Sequence, residues 1–164
     1  MMKKALFILA MLIFTATHAV AADKSPLELV SVNEVDITVK NSKGVDEVQR
    51  VDAAKAKVVP GDTVIFTTRY SYAGGKPATD VVITNPMPEH MIYTDGTAEG
   101  KGTRIEFSAD KGASYAPAGK VKIKDAKGKE RVAAAADYTH IRWVFKGALE
   151  KGAKGEVFFR AKVK

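Results

Sequence analysis

VPGDTVIFTTRYSYAGGKPATDVVITNPMPEHMIY, residues 59–93, decides the fold. Pro60 fixes φ for a turn, Gly61 relaxes the next position and Asp62 is placed to cap the backbone before the chain extends. Residues 63–72 then alternate. Val64, Phe66, Thr68, Tyr70 and Tyr72 fall on one face; Thr63, Ile65, Thr67, Arg69 and Ser71 fall on the other. Period 2 with β-branched and aromatic enrichment predicts a strand whose Phe66 face turns to the core. Residues 73–77, with Gly74, Gly75 and Pro77, form a loop, and residues 79–84 resume a strand with Val81 and Ile83 together. Asn85-Pro86-Met87-Pro88 ends it, because two prolines remove two ladder donors, and the chain must leave the sheet there.

The order V-P-G-D-T-V, an aromatic strand, then G-G-x-P-A-T-D-V-V-I-T-N-P-M-P-E-x-M-x-Y-x-x-G resembles the prokaryotic surface-protein repeat known as domain of unknown function 11. The close similarity covers residues 59–100 and weakens towards the end, giving a family-like core of residues 58–164 in a single copy. The resemblance implies an immunoglobulin-like β-sandwich of the kind found in exported envelope proteins, with no assigned chemistry.

At the N-terminus, Lys3 and Lys4 precede an unbroken apolar run over residues 5–14, and Ala19-Val20-Ala21 gives the small-residue exit of a signal-peptidase site. The run is half of the ~20 residues that span a bilayer. The expectation is a secretory signal peptide, residues 1–21, followed by one domain, residues 22–164, delivered to the periplasm or the cell surface of a bacterium. Removing residues 1–21 from the 164 leaves 143 and takes Lys3 and Lys4, lowering the formal charge from +7 to +5. Lysines spread singly along strands serve solubility and edge protection rather than a nucleic-acid footprint. An acidic glycan or an anionic membrane surface fits the residual charge; nucleic acid does not.

Cysteine is absent, which excludes a lipid-modified cysteine, disulfides, and cysteine-held zinc, iron–sulfur or haem. The fold must live on its core, and the predicted core is Val64, Phe66, Tyr70, Val81, Ile83, Phe107, Ile141, Trp143, Phe145, Val157 and Phe159.

Elsewhere the sequence predicts one or two strands over residues 27–39, with a bulge or break at 30–33 where the apolar positions change parity. A turn at 41–44 follows, then a polar partner strand over 45–58, read as extended in preference to a short helix at 52–57. Residues 94–102 form a glycine-rich loop and 103–107 a short strand. Ser108-Ala109-Asp110-Lys111-Gly112-Ala113-Ser114-Tyr115 resembles the Asp-box of sialidases and other exported β proteins. Its physics is that of a turn: Asp110 accepts backbone N–H bonds, Gly112 takes a positive φ and Tyr115 packs beneath. Val121 and Ile123 mark a strand, 125–129 a turn and 131–136 a small-residue passage. Asp137-Tyr138 could form a tyrosine corner. Residues 139–145 carry Ile141, Trp143 and Phe145 inward, and 156–164 close the chain with Val157, Phe159, Ala161 and Val163 on one face.

No reaction chemistry assembles from these residues. His18 lies in the leader, and His90 and His140 have no ligand-spaced partner. The carboxylates Asp80, Glu89, Asp95, Glu99, Glu106 and Asp110 sit in or beside turns without the aromatic groove of a sugar site. Calcium at 95–99 is the least implausible metal idea, and a Lys-to-Asn isopeptide lacks its acceptor in the closing strand. No catalytic, cofactor-binding or metal residue is assigned. The sequence therefore predicts an all-β, immunoglobulin-like sandwich of seven to nine strands that is not an enzyme. Its expected role is an exported cell-envelope module binding another envelope protein or polymer, with β-augmentation at 22–39 or 45–58. The alternative is a self-assembling subunit, a homo-oligomer using N-terminal strand exchange, and the last reading is an envelope hydrolase.

Overall fold

The computed structural model describes residues 25–164; the expected signal peptide lies outside the described residues. The strands are β1 Leu27–Lys40, β2 Asp46–Asp52, β3 Thr63–Tyr72, β4 Val82–Pro86, β5 Met91–Tyr93, β6 Glu99–Gly100, β7 Thr103–Ser108, β8 Lys122–Lys124, β9 Glu130–Val132, β10 His140–Phe145 and β11 Lys154–Val163. The decisive strand β3 has the predicted bounds, and Asp62 caps its entry by accepting the Val59 N–H at 2.8 Å.

All of the paired strands are antiparallel. A large sheet runs β2-β1-β3-β11-β5, with β6 also on β11; a smaller sheet runs β4-β10-β7, and β8 and β9 form a separate hairpin. The two main sheets face each other as a sandwich. Between them lie Ile83, Tyr93, Phe107, Ile141, Trp143, Val157, Phe159 and Ala161, joined by Tyr138. Phe159 stacks on Phe66 at 5.0 Å within the large sheet and meets Trp143 of the smaller one at 6.2 Å. Trp143 is 0% exposed. Each such ring contributes on the order of 1.5–3 kcal/mol by leaving water.

The chain changes sheets where the prolines stand. Pro86 is the last residue of β4, opposite His140, and Pro88 lies in the crossing to β5, which pairs with β11 in the large sheet. The Val81 C=O accepts Phe145 N–H and the Met87 N–H donates to Thr139 C=O, so odd positions of β4 face β10. Pro86 thus occupies a position whose N–H would have pointed out of the sheet. No ladder bond is lost there.

Several expectations need correction. β1 is one strand without a break: its register with β3 is continuous from Leu27↔Tyr72 to Val35↔Val64. Residues 53–55 are a turn, with the Ala54 N–H on the Asp52 carboxylate, so the partner strand ends at Asp52. The second strand starts at Val82 rather than 79, because Asp80 adopts φ 55. The glycine-rich loop contains β6, and the small-residue passage contains the end of β9. Among the described residues the strand count rises to eleven through the two- and three-residue pieces β5, β6, β8 and β9. Tyr138 stacks on Phe107 at 4.5 Å; among the described residues the phenol-to-backbone bonds belong to Tyr72, which donates to Lys76 C=O, and Tyr93, which accepts Ala98 N–H.

Candidate functional site

β1 is paired on different sides along its length. Residues 27–35 pair with β3 and residues 34–40 with β2, so the two partners overlap only at Glu34 and Val35. Two consequences follow. Residues 36–40 and their β2 partners extend beyond β3 as a two-stranded arm closed by a turn in which Asn41 Oδ1 accepts the Lys43 and Val45 N–H groups. Residues 27–33 are left with one edge unpaired.

The hydrogen-bond parity of that edge is fixed at both ends. The Pro26 C=O accepts Ala73 N–H at 2.8 Å, so even positions face β3, and the Asn33 C=O accepts Ala53 N–H at 2.9 Å, so odd positions face away. Leu27, Leu29 and Ser31 therefore turn their backbone N–H and C=O groups outward. Leu29 is 48% exposed and Val30 49% exposed, on opposite faces of the strand. This explains the parity change in the sequence: no second layer covers either face here, so apolar residues occur on both.

The edges at β2, β7 and β4 are guarded. β2 carries Asp46, Glu47, Gln49 and Arg50. β7 exchanges both backbone bonds of Phe107 with Ala116. β4 has Pro86 at an outward position. Among the described residues, positions 27–33 of β1 combine length, apolar side chains and outward backbone groups, while the β4 edge lies across a groove of about 190 Å³ lined by Ser31, Asn33, Phe66, Thr68, Asn85 and Pro86. Asn85 Nδ2 spans the layers to Thr68 Oγ1 at 2.8 Å.

On the outer face of the large sheet, cross-strand rows alternate in chemistry: Glu28–Ser71–Lys154, Val30–Arg69–Glu156, Val32–Thr67–Phe158 and Glu34–Ile65–Arg160. The first two rows line a depression of about 420 Å³ beside the open edge. Arg69 lies 3.5 Å from Glu156, and Arg50 grips Asp36 with two bonds of 2.8 and 3.1 Å. The Arg50 hydrogen bond holds the Asp36 carboxyl below its usual range.

The outer face of the smaller sheet holds the best-buried charge. Glu106, 7% exposed, accepts from Arg104 Nε and Arg142 Nε at 2.8 Å each, and Arg142 lies 4.0 Å over the Tyr115 ring. Burial pushes the Glu106 carboxyl up, but the two arginine hydrogen bonds with their charges outweigh it and leave it below the usual range. Nearby, the Asp110 turn is built as a turn: Asp110 accepts from Ser108 Oγ at 2.6 Å, from Ser114 N–H at 2.9 Å and from Ser114 Oγ at 2.5 Å, and Gly112 has φ 88. The Ser108 hydrogen bond first, and those of Ser114 next, hold its carboxyl far below the ordinary value. Tyr115 packs against the turn, its hydroxyl 3.0 Å from where a Cβ on Gly112 would stand, while Arg142 lies over its ring.

The remaining carboxylates and histidines do not converge. Among the described residues no group of three or more His, Asp or Glu is placed to hold a metal ion. His140 Nδ1 lies 3.2 Å from Thr139 Oγ1, and His90, at φ 64, gives its C=O to the Lys164 N–H. Sequence reasoning missed the Arg104–Glu106–Arg142 cluster, because its signal lies in the pairing Arg142↔Glu106 rather than in any spacing along the chain. Among the described residues no helix is long and apolar enough to cross a membrane. No protein-family model, no curated protein and no solved structure matches the chain.

Proposed function

We propose that this chain is a non-catalytic, exported cell-envelope module, an immunoglobulin-like sandwich related to the domain of unknown function 11 repeat, that binds another envelope protein by strand addition. The unguarded edge at Leu27, Leu29 and Ser31 carries this reading. An added strand would satisfy backbone groups that the fold leaves to water, and it would cover Leu29 and Val30 at once. The Lys3-Lys4 start, the apolar run over residues 5–14 and the Ala19-Val20-Ala21 exit support export. Crossings between sheets at β3–β4, β4–β5 and β10–β11 support the sandwich family.

The test compares wild type with Leu29→Pro as bait for envelope extracts. Proline at an outward-facing position removes an edge donor while sparing the ladder to β3. Partners captured by wild type and lost with Leu29→Pro, at unchanged melting temperature, support the reading. Equal capture by both proteins refutes it, as does a saturable hydrolase activity abolished by Glu106→Gln.

A further inference from the structure

We infer that the occupant of the open β1 edge is a second copy of this chain, paired antiparallel about a two-fold axis at Leu29. This rests on the strand-addition reading above, with a second copy of the chain as the envelope protein whose strand is added.

The register follows from what blocks each end. Ala53 already takes the Asn33 C=O, and the Leu27 N–H donates to Ser25 Oγ at 3.4 Å, so the outward groups without a protein partner are the Leu27 C=O and both groups of Leu29 and Ser31. An axis at Leu29 sets Leu29 against Leu29 and Leu27 against Ser31 of the second copy. These are three mutually hydrogen-bonded pairs, making about six backbone bonds once the Leu27 N–H exchanges Ser25 Oγ for the opposing Ser31 C=O. Moving the axis to Ser31 would set Leu29 against Asn33, whose C=O is occupied. Moving it to Leu27 would forfeit the Ser31 pair.

Side chains and charge agree with the Leu29 axis. On the outer face it sets Val30 opposite Glu28 of the second copy and continues the rows across the junction. One row then reads Glu156, Arg69 and Val30 of one copy, followed by Glu28, Ser71 and Lys154 of the other. Arg69 and the opposing Glu28 flank Val30 with opposite charge, and no like charges stand directly opposite each other. Arg69, more than half exposed and 3.5 Å from Glu156, would in the pair turn across Val30 towards Glu28 of the second copy, its stem covering Val30. On the inner face the two Leu29 side chains meet and cover each other. The interface is isologous and closed, so it stops at two chains.

The experiment is light scattering over a wide concentration series on the chain expressed with its leader and purified after processing, with Leu29→Arg, Leu29→Pro and Leu29→Cys beside it. The expected result is a mass rising from one chain to two and never beyond, with Leu29→Arg and Leu29→Pro held at one chain while melting as wild type does. The chain has no cysteine of its own, and Cα atoms of a hydrogen-bonded antiparallel pair lie about 5.5 Å apart. Leu29→Cys should therefore oxidise to a covalent dimer. A one-chain mass at every concentration overturns self-pairing, while the extract capture decides strand addition separately. A dimer indifferent to both Leu29→Arg and Leu29→Pro, or an open-ended polymer, overturns it as well.

Discussion

Gly100→Ala tests how the two sheets are held together. Gly100 lies in β6 on the edge of β11, where a Cβ would stand 2.7 Å from Trp143 Cδ1, 2.8 Å from Thr103 Oγ1 and 2.9 Å from Val157 Cγ1. None of these contacts can give cheaply. Trp143 and Val157 are in the centre of the core, and the Thr103 hydroxyl donates to the Gly100 C=O at 2.7 Å. β6 must then lift from β11, where it pairs at Val157 and Phe158. Overpacking of this kind costs about 1–3 kcal/mol, and at about 2–4 °C per kcal/mol the melting temperature should fall by about 2–12 °C. Gly147→Ala is the control, since no atom lies within 4 Å of its added Cβ and its φ is not positive; a gain of up to about 1 kcal/mol is expected there. Thermal unfolding by circular dichroism reads both. Equal melting temperatures for Gly100→Ala and wild type would refute the packing of β6 over Trp143.

Other outcomes follow from the core, the charges and the turn. Phe159→Ala should cost about 3–5 kcal/mol in urea titration, against less than about 0.5 kcal/mol for Leu29→Ala, since only the first empties the core. Asp36, Glu106, Asp110 and Asp137 all have folded-state pKa values below their ordinary ones. Their contribution is complete above the unfolded values of about 4 and is lost as pH falls through the lower folded values, so melting temperature should be flat near neutrality and fall in acid. Glu106→Gln should cost about 1–2 kcal/mol at neutral pH and flatten part of that acid slope. Asp110→Ala should lower the melting temperature without touching the sheet-edge exchange described below.

The sequence was legible where burial was one-sided. In β11 and β10 the alternation of Val157, Phe159 and Ala161, or of Ile141 and Trp143, matched the buried face because a complete second layer covers it. In β3 the bounds were right but the sidedness was too simple: Ile65 and Thr67 on the outer face are buried as well, beneath Glu34, Arg50, Phe158 and Arg160. Long charged side chains cover apolar ones with their stems, a contact that alternation does not register. β1 was read as one or two strands with a bulge or break because its Leu27, Leu29, Val30 and Val32 obey neither parity, and the cause is the exposure of both faces rather than an interruption of the strand. That misreading marks the candidate site. β9 and the turn at residues 53–55 rest on local bonds of Lys122 to Glu130 and of Asp52 to Ala54, which leave no apolar period to read.

The account turns on the backbone of residues 27–33, and amide hydrogen exchange at low protein concentration tests it residue by residue. Val30 and Val32, bonded to β3, should exchange slowly, while Leu29 and Ser31 exchange fast; at high concentration Leu29 and Ser31 should become protected. Uniform protection along the strand at low concentration, or uniform rapid exchange, would contradict the open edge.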